Sequence, residues 1–221
     1  ILKYARQDVR FLRTFDLKAI LIACGTVTTT SLPQLRQEND LPIVGVVEPS
    51  CRAALAATSN GRIGMIATQA SVRSGAYERT LRALDPAVTV IQKACPLFVP
   101  LAEEGRTRPG DPVIETVAEE YLASLRQEGI DTLILGCTHY PLLKDVIANV
   151  MGPGVALIDS GEESAKELQR LLTASDSLGE PQGGGAIYCV SDRVEDFQRL
   201  ASRFLGEDVA GAARRVEVED V

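Results

Sequence analysis

One stretch limits the chain more than any other: Leu133-Ile134-Leu135-Gly136-Cys137-Thr138-His139-Tyr140-Pro141-Leu142-Leu143. The short apolar run Leu133 to Leu135 predicts a fully buried strand. Gly136 allows a tight exit from it. A thiol, a hydroxyl and an imidazole follow in a row. Pro141 suits the first turn of a helix. Leu142, Leu143, Val146, Ile147 and Val150 then describe one apolar helix face. Cys137, Thr138 and His139 therefore belong in a strand-to-helix turn at the carboxyl end of a strand, where open α/β sheets hold their ligands. His139 is the single histidine of the chain. The competing reading is a buried thiol beside a surface imidazole.

The same pattern occurs earlier. Lys18-Ala19-Ile20-Leu21-Ile22-Ala23-Cys24 repeats Asp131-Thr132-Leu133-Ile134-Leu135-Gly136-Cys137 in residue type. Threonine follows each cysteine, as Thr26 after Gly25 in the first copy and as Thr138 in the second. Two similar half-chains with a thiol at the same place suggest a pseudo-symmetric molecule with the thiols facing across a cleft.

Composition narrows the partners. With 221 residues the chain can form one large or two small domains. A net charge of −7 argues against nucleic acid or an anionic membrane as the main partner. It leaves room for a small anion, which backbone amides and hydroxyls can hold. No apolar run approaches the roughly 20 residues that span a bilayer, and no secretory signal opens the chain. Cys24, Cys51, Cys95, Cys137 and Cys189 are widely spaced and odd in number, so a disulfide framework is not expected and a cytoplasmic, reducing location suits them. Cys51, Cys95 and Cys189 read as core thiols. No CxxC or paired-histidine spacing supports a metal site.

Strands and helices alternate along the chain, which predicts an α/β fold with mainly parallel sheets. Helices are expected over residues 1–15, 28–37, 77–84, 112–128, 162–173 and 194–205, with Ser50 capping another. Strands are expected at 19–23, 42–47, 62–67, 88–91, 133–135, 156–158 and 186–190. Residues 94–105 read as a loop with a short apolar patch. Gly183-Gly184-Gly185 reads as a surface loop, because no strand or phosphate-cradle spacing precedes it.

Five motifs in order carry a resemblance: Gly45-Val46-Val47-Glu48-Pro49, Ser74-Gly75-Ala76-Tyr77, Ala94-Cys95-Pro96-Leu97-Phe98-Val99-Pro100-Leu101, Gly136 to Leu143, and Ile158-Asp159-Ser160-Gly161-Glu162. Together they resemble the glutamate racemase family. The resemblance implies two pseudo-symmetric α/β domains with the active site in the cleft between them. It implies an intertwined division, with residues 1–49 and 160–221 in one domain and 50–159 in the other. It implies glutamate as substrate, no cofactor and no metal, and D-glutamate for peptidoglycan as product. A homodimer stays open. Cys24 would serve the D-isomer and Cys137 the L-isomer, with His139 assisting the second thiol and Glu103 an acidic residue on that side. Gly25, Thr26, Thr68, Ser71, Thr138 and His139 would bind substrate. A solvated charge competes for Glu103, and ordinary helix capping competes for Thr68 and Ser71.

The chemistry suits thiols. Racemisation removes the α-proton from one face of a carbon and delivers a proton to the other, which calls for two acid/base groups on opposite sides. Thiols beside helix N-termini or cations have lowered pKa values, so thiolates are expected.

Two departures stand out. The family usually has asparagine directly after the first cysteine, where Gly25 stands, so a substrate-contacting amide is lost unless backbone or water replaces it. The family also opens with an Asp-Ser-Gly stretch and a Pro-Tyr-Gly loop, and neither precedes Ile1, which falls in mid-helix by pattern. A missing start is therefore expected, with Ile20, Leu21 and Ile22 exposed. Three other readings remain: a two-thiol racemase for aspartate or hydantoins, a Cys-His hydrolase, and a non-catalytic relative that binds an amino acid or a protein. The hydrolase is disfavoured because His139 is too close in sequence to face Cys137 easily.

Overall fold

The computed structural model of the chain describes residues 1–179, 185–206, 209 and 211–218. Gly183 and Gly184 of the expected surface loop lie outside the described residues.

The chain alternates strand and helix as expected. Helix α1 (Leu2–Leu12) precedes strand β1 (Ile20–Ile22), which runs into helix α2 (Gly25–Gln37). Strand β2 (Ile43–Gly45) pairs in parallel with β1, and helix α3 (Val47–Ala57) follows at once. Strand β3 (Arg62–Ala67) leads into the short helix α4 (Gln69–Ser74) and then α5 (Ala76–Leu84). Strand β4 (Thr89–Ala94), helix α6 (Phe98–Glu103) and helix α7 (Pro112–Gln127) come next. Strand β5 (Thr132–Leu135) is followed by a 3₁₀ turn (Tyr140–Leu143), helix α8 (Lys144–Met151), strand β6 (Ala156–Asp159) and helix α9 (Ser160–Ala174). Strand β7 (Tyr188–Val190), helix α10 (Val194–Leu205) and strand β8 (Ala213–Arg215) end the described chain.

Every strand pairing among the described residues is parallel. The largest sheet has the order β4-β3-β5-β6. The chain moves outward from β3 to β4, then crosses back to place β5 on the other side of β3. The carboxyl ends of β3 and β5 are thus a topological switch point, where a crevice opens beyond the sheet. Thr68 follows β3 there and Cys137 follows β5.

The two-residue alternation of a strand explains the burial of β5. Leu133 and Leu135 pack on Ile114, Leu122 and Ile147, while Ile134 turns to the other face with Ile63, Tyr77 and Leu81. Leu133, Ile134 and Leu135 are fully buried, each worth about 1.5–3 kcal/mol of burial. A smaller core of Ala5, Val9, Ile20, Leu35 and Ile43 holds α1, α2, β1 and β2 together.

Five expectations are corrected. Residues within 94–105 form α6, because Pro100 falls in its first turn, where no backbone donor is needed. Helix α3 begins before Ser50, whose hydroxyl instead donates to the Val46 carbonyl. Helix α2 begins at Gly25 and α9 at Ser160, each a few residues early, so Cys24 and Asp159 are the capping residues. Ile20 is buried in the small core rather than exposed, while Leu21 does face solvent.

Candidate active site

Two strand ends carry the site. Cys24 is the last extended residue before α2, and its carbonyl accepts the Thr28 amide. Cys137 follows β5 and Gly136, and its carbonyl accepts the Tyr140 amide. Both thiols line one cavity of about 170 Å³, with Gly25, Thr26, Thr68, Val99, Gly136, Thr138 and His139. Such a volume is below that of sites for drug-sized ligands. A groove of about 550 Å³ between α2, α3 and α5 is larger, but it presents Arg36, Glu48 and Arg79 and neither thiol.

The two sides touch through hydroxyls and glycines. Thr26 lies 2.9 Å from Thr68 and 3.5 Å from Ser71, oxygen to oxygen. Thr68 also caps α4 by accepting the Ser71 amide. Capping and a place in the site are thus both realised by one side chain. A Cβ at position 25 would stand 2.6 Å from the Gly136 carbonyl oxygen. The asparagine usual after the first cysteine therefore has no room at this spacing, and Gly25 is what lets the backbones meet.

The Cys137 side is built around the imidazole. Glu103 ends α6, and its carboxylate oxygen lies 3.0 Å from His139 Nε2. A carboxylate accepts, so Nε2 carries a hydrogen, and in the matching neutral tautomer Nδ1 is an acceptor. That nitrogen lies 3.8 Å from the Cys137 sulfur and 3.3 Å from the Thr138 hydroxyl. His139 therefore does face the thiol although only two residues away, which removes the ground on which the Cys-His hydrolase was disfavoured. His139 itself has helical backbone angles and opens the 3₁₀ turn.

Burial pushes the Cys137 thiol above its ordinary pKa. The His139 amide acts in the opposite direction, while nearby Cys24 and Glu103 add to the rise. The expected lowering is thus overturned for this thiol, because desolvation of the buried sulfur outweighs the helix-end amide. Cys24 is exposed, whereas Cys137 is buried. Tyr140, in the turn beyond, is tied down by donating to the Cys95 carbonyl at 2.9 Å.

The sequence-named residues converge: Cys24, Gly25, Thr26, Thr68, Cys137, Thr138 and His139 line the cavity. Ser71 and Glu103 stand one hydrogen bond behind it. Val99 was not singled out, being one apolar residue in a run of them. Phe204 of α10 was also missed, although its ring meets the His139 ring at 5.3 Å. An apolar position on an amphipathic helix gives no sign of such a contact.

Two cysteines, one after β1 and one after β5, thus line one small cavity. Residues 3–168 match the Asp/Glu/hydantoin racemase family. The chain belongs to this family. It is 43% identical over 207 residues to the glutamate racemase of Geobacter metallireducens, covering 93% of this chain and 76% of that relative. A glutamate racemase of Lactiplantibacillus plantarum is 40% identical over 92% of this chain and 75% of its own. The crystal structure of the glutamate racemase isoform RacE1 from Bacillus anthracis superposes with a TM-score of 0.91 at 34% identity, covering 98% of this chain and 80% of that one. The racemase fold thus extends over the α/β arrangement described. No helix among the described residues is long and apolar enough to cross a membrane.

Proposed function

We propose that this chain racemises glutamate between its L and D forms by a two-thiol mechanism, supplying D-glutamate for peptidoglycan. The carrying observation is the pair Cys24 and Cys137 on one small cavity. Similarity to glutamate racemases supports the choice of substrate. So does the glutamate racemase of Francisella tularensis in complex with D-glutamate, which superposes with a TM-score of 0.89 at 30% identity, covering all of this chain and 81% of that one.

In this reading one sulfur, as thiolate, takes the α-proton of the bound amino acid. The electron pair stays on Cα, and the other sulfur, as thiol, gives its proton to the opposite face. The reverse reaction exchanges the roles. Cys137 acts on the L-isomer and Cys24 on the D-isomer. His139 Nδ1 accepts the Cys137 proton, and Glu103 holds the ring in the tautomer that can do so. The N-terminus of α2 and the hydroxyls of Thr26, Thr68 and Thr138 hold the carboxylates, helped by Ser71, without a lysine or arginine among the cavity's lining residues.

The supporting sheets fall either side of the proposed domain division, 1–49 with 160–221 against 50–159. Free cysteines suit a cytoplasmic enzyme, and a homodimer is the proposed assembly, to be read by sedimentation. Chiral chromatography of L-glutamate incubated with the protein should reveal D-glutamate. Activity should survive chelators and carbonyl reagents. Conversion of aspartate but not glutamate, or loss of activity in chelator with recovery on adding metal, would refute this reading.

A further inference from the structure

Helix α10 reaches the site from the far end of the chain. Its last turn places two adjacent side chains against the His139–Glu103 pair. The Phe204 ring lies 5.3 Å from the His139 ring, centroid to centroid, at 86°. This is the perpendicular arrangement that aromatic pairs favour. The neighbouring Arg203 donates through Nη1 to the backbone carbonyl of Glu103. That carbonyl ends α6, so it is one of the acceptors a helix leaves without an internal partner. The guanidinium also lies over Gly105, whose Cβ would stand 3.4 Å from Arg203 Cζ.

We propose that Phe204 and Arg203 are positioning residues for the His139–Glu103 pair, acting through these two groups and not on substrate. The inference rests on the racemase reading for its kinetic consequence alone. The geometric argument is independent of it. His139 has both ring nitrogens engaged, Nε2 with Glu103 and Nδ1 with Thr138 and Cys137. Of these contacts the one to Cys137 is long, at 3.8 Å, so by itself it opposes rotation about the Cβ–Cγ bond weakly. A perpendicular aromatic wall opposes that rotation and keeps Nδ1 directed at the sulfur. Arg203 complements it by holding the backbone that carries the Glu103 carboxylate. Fixing a cation at a helix carboxyl end is favourable in itself. Two successive residues of one helix thus address the two partners of one hydrogen bond.

His139 is the single histidine in 221 residues, so its ring resonances form one isolated spectrum. The test compares histidine-labelled parent, Phe204→Ala, Phe204→Leu, Phe204→Tyr and Arg203→Gln by NMR, with racemisation kinetics on each. In Phe204→Ala the ring-proton resonances should shift, and kcat should fall about tenfold with little change in KM, as expected for a misaimed group. Phe204→Tyr should restore both readouts and Phe204→Leu should fall between. Arg203→Gln should shift the same resonances by loosening Glu103. Phe197→Ala is the control: Phe197 is on the same helix but packs on Tyr188, at 6.0 Å. It should lower the melting temperature without moving the His139 resonances. If Phe204→Ala unfolds, Phe204→Leu and Arg203→Gln still decide. Unmoved His139 resonances in folded variants, or shifted resonances with parental kcat, would overturn the proposal. An inactive parent would count against the racemase reading, while the resonance comparison, which needs no turnover, would still judge the geometry.

Discussion

Each cysteine in this molecule has the same chemistry, and only its surroundings distinguish a core thiol from an acid/base group. Cys51 and Cys95 are fully buried with their pKa values pushed up to about 12 by desolvation, so they stay protonated. Cys137 is also pushed up by burial, but it opens on a cavity and has His139 Nδ1 at 3.8 Å to receive its proton. Burial favours its thiol form, and in the proposed mechanism the thiolate forms as the imidazole takes the proton. Replacing Cys24 or Cys137 by serine should each cut racemisation by about a hundredfold or more, the scale of a lost positioned acid/base. Steady-state assays in both directions would check this, and a parental rate in either variant would remove that sulfur from the mechanism. Gly25 carries a second expectation. A Cβ there meets the Gly136 carbonyl at 2.6 Å, so Gly25→Ala must push the two thiol-bearing turns apart. Misplacement on the scale of an ångström costs up to about a hundredfold. A large loss of kcat in a folded Gly25→Ala protein is expected, read by kinetics beside a thermal melt.

At the scale of elements, the strand-to-helix turns were the legible part. Leu133 to Leu135 had to be buried on both faces, and the residues after them had to emerge at the sheet's carboxyl end. Cys24 was legible for the same reason, as the end of a matching apolar run. The connections between elements were not. Glu103 meets His139 across 36 residues of chain, and no periodicity encodes that meeting. Family resemblance put Glu103 on the Cys137 side without pairing it to His139, and the helix that presents it reads as a loop in the sequence. Phe204 was beyond reach, since helical pattern assigns an apolar face without naming what it touches. A different turn sets acid stability. Desolvation raises the Asp131 carboxyl, but the Thr58 hydroxyl and the amides of Ser59 and Asn60 together outweigh it and hold the group well below the carboxylate range. A depressed folded pKa contributes stability that is fully present above the unfolded value of about 3.9 and is lost as pH falls toward the folded one. Asp131→Asn should therefore lower the melting temperature at neutral pH, by roughly 2–4 °C per kcal/mol lost. The gap to the parent should narrow as pH drops below about 4. Thermal melts across that range would show a constant gap if the carboxylate were idle.

At the scale of the whole molecule, the site exists only where two sets of elements meet. Thr26 on one side and Thr68 on the other bridge the cavity at 2.9 Å, and neither sulfur alone faces both sides of a bound carbon. The central claim is that one sulfur removes the hydrogen and the other replaces it. The most direct test is the conversion of L-glutamate in deuterated water, stopped after a small fraction has reacted. The sulfur that donates then carries solvent deuterium, while the thiolate that abstracts carries none. Two opposed sulfurs predict D-glutamate with deuterium at Cα from the first turnover, while unreacted L-glutamate still holds its original hydrogen. D-glutamate carrying the substrate's own hydrogen, or glutamate that binds without any exchange, would contradict the account.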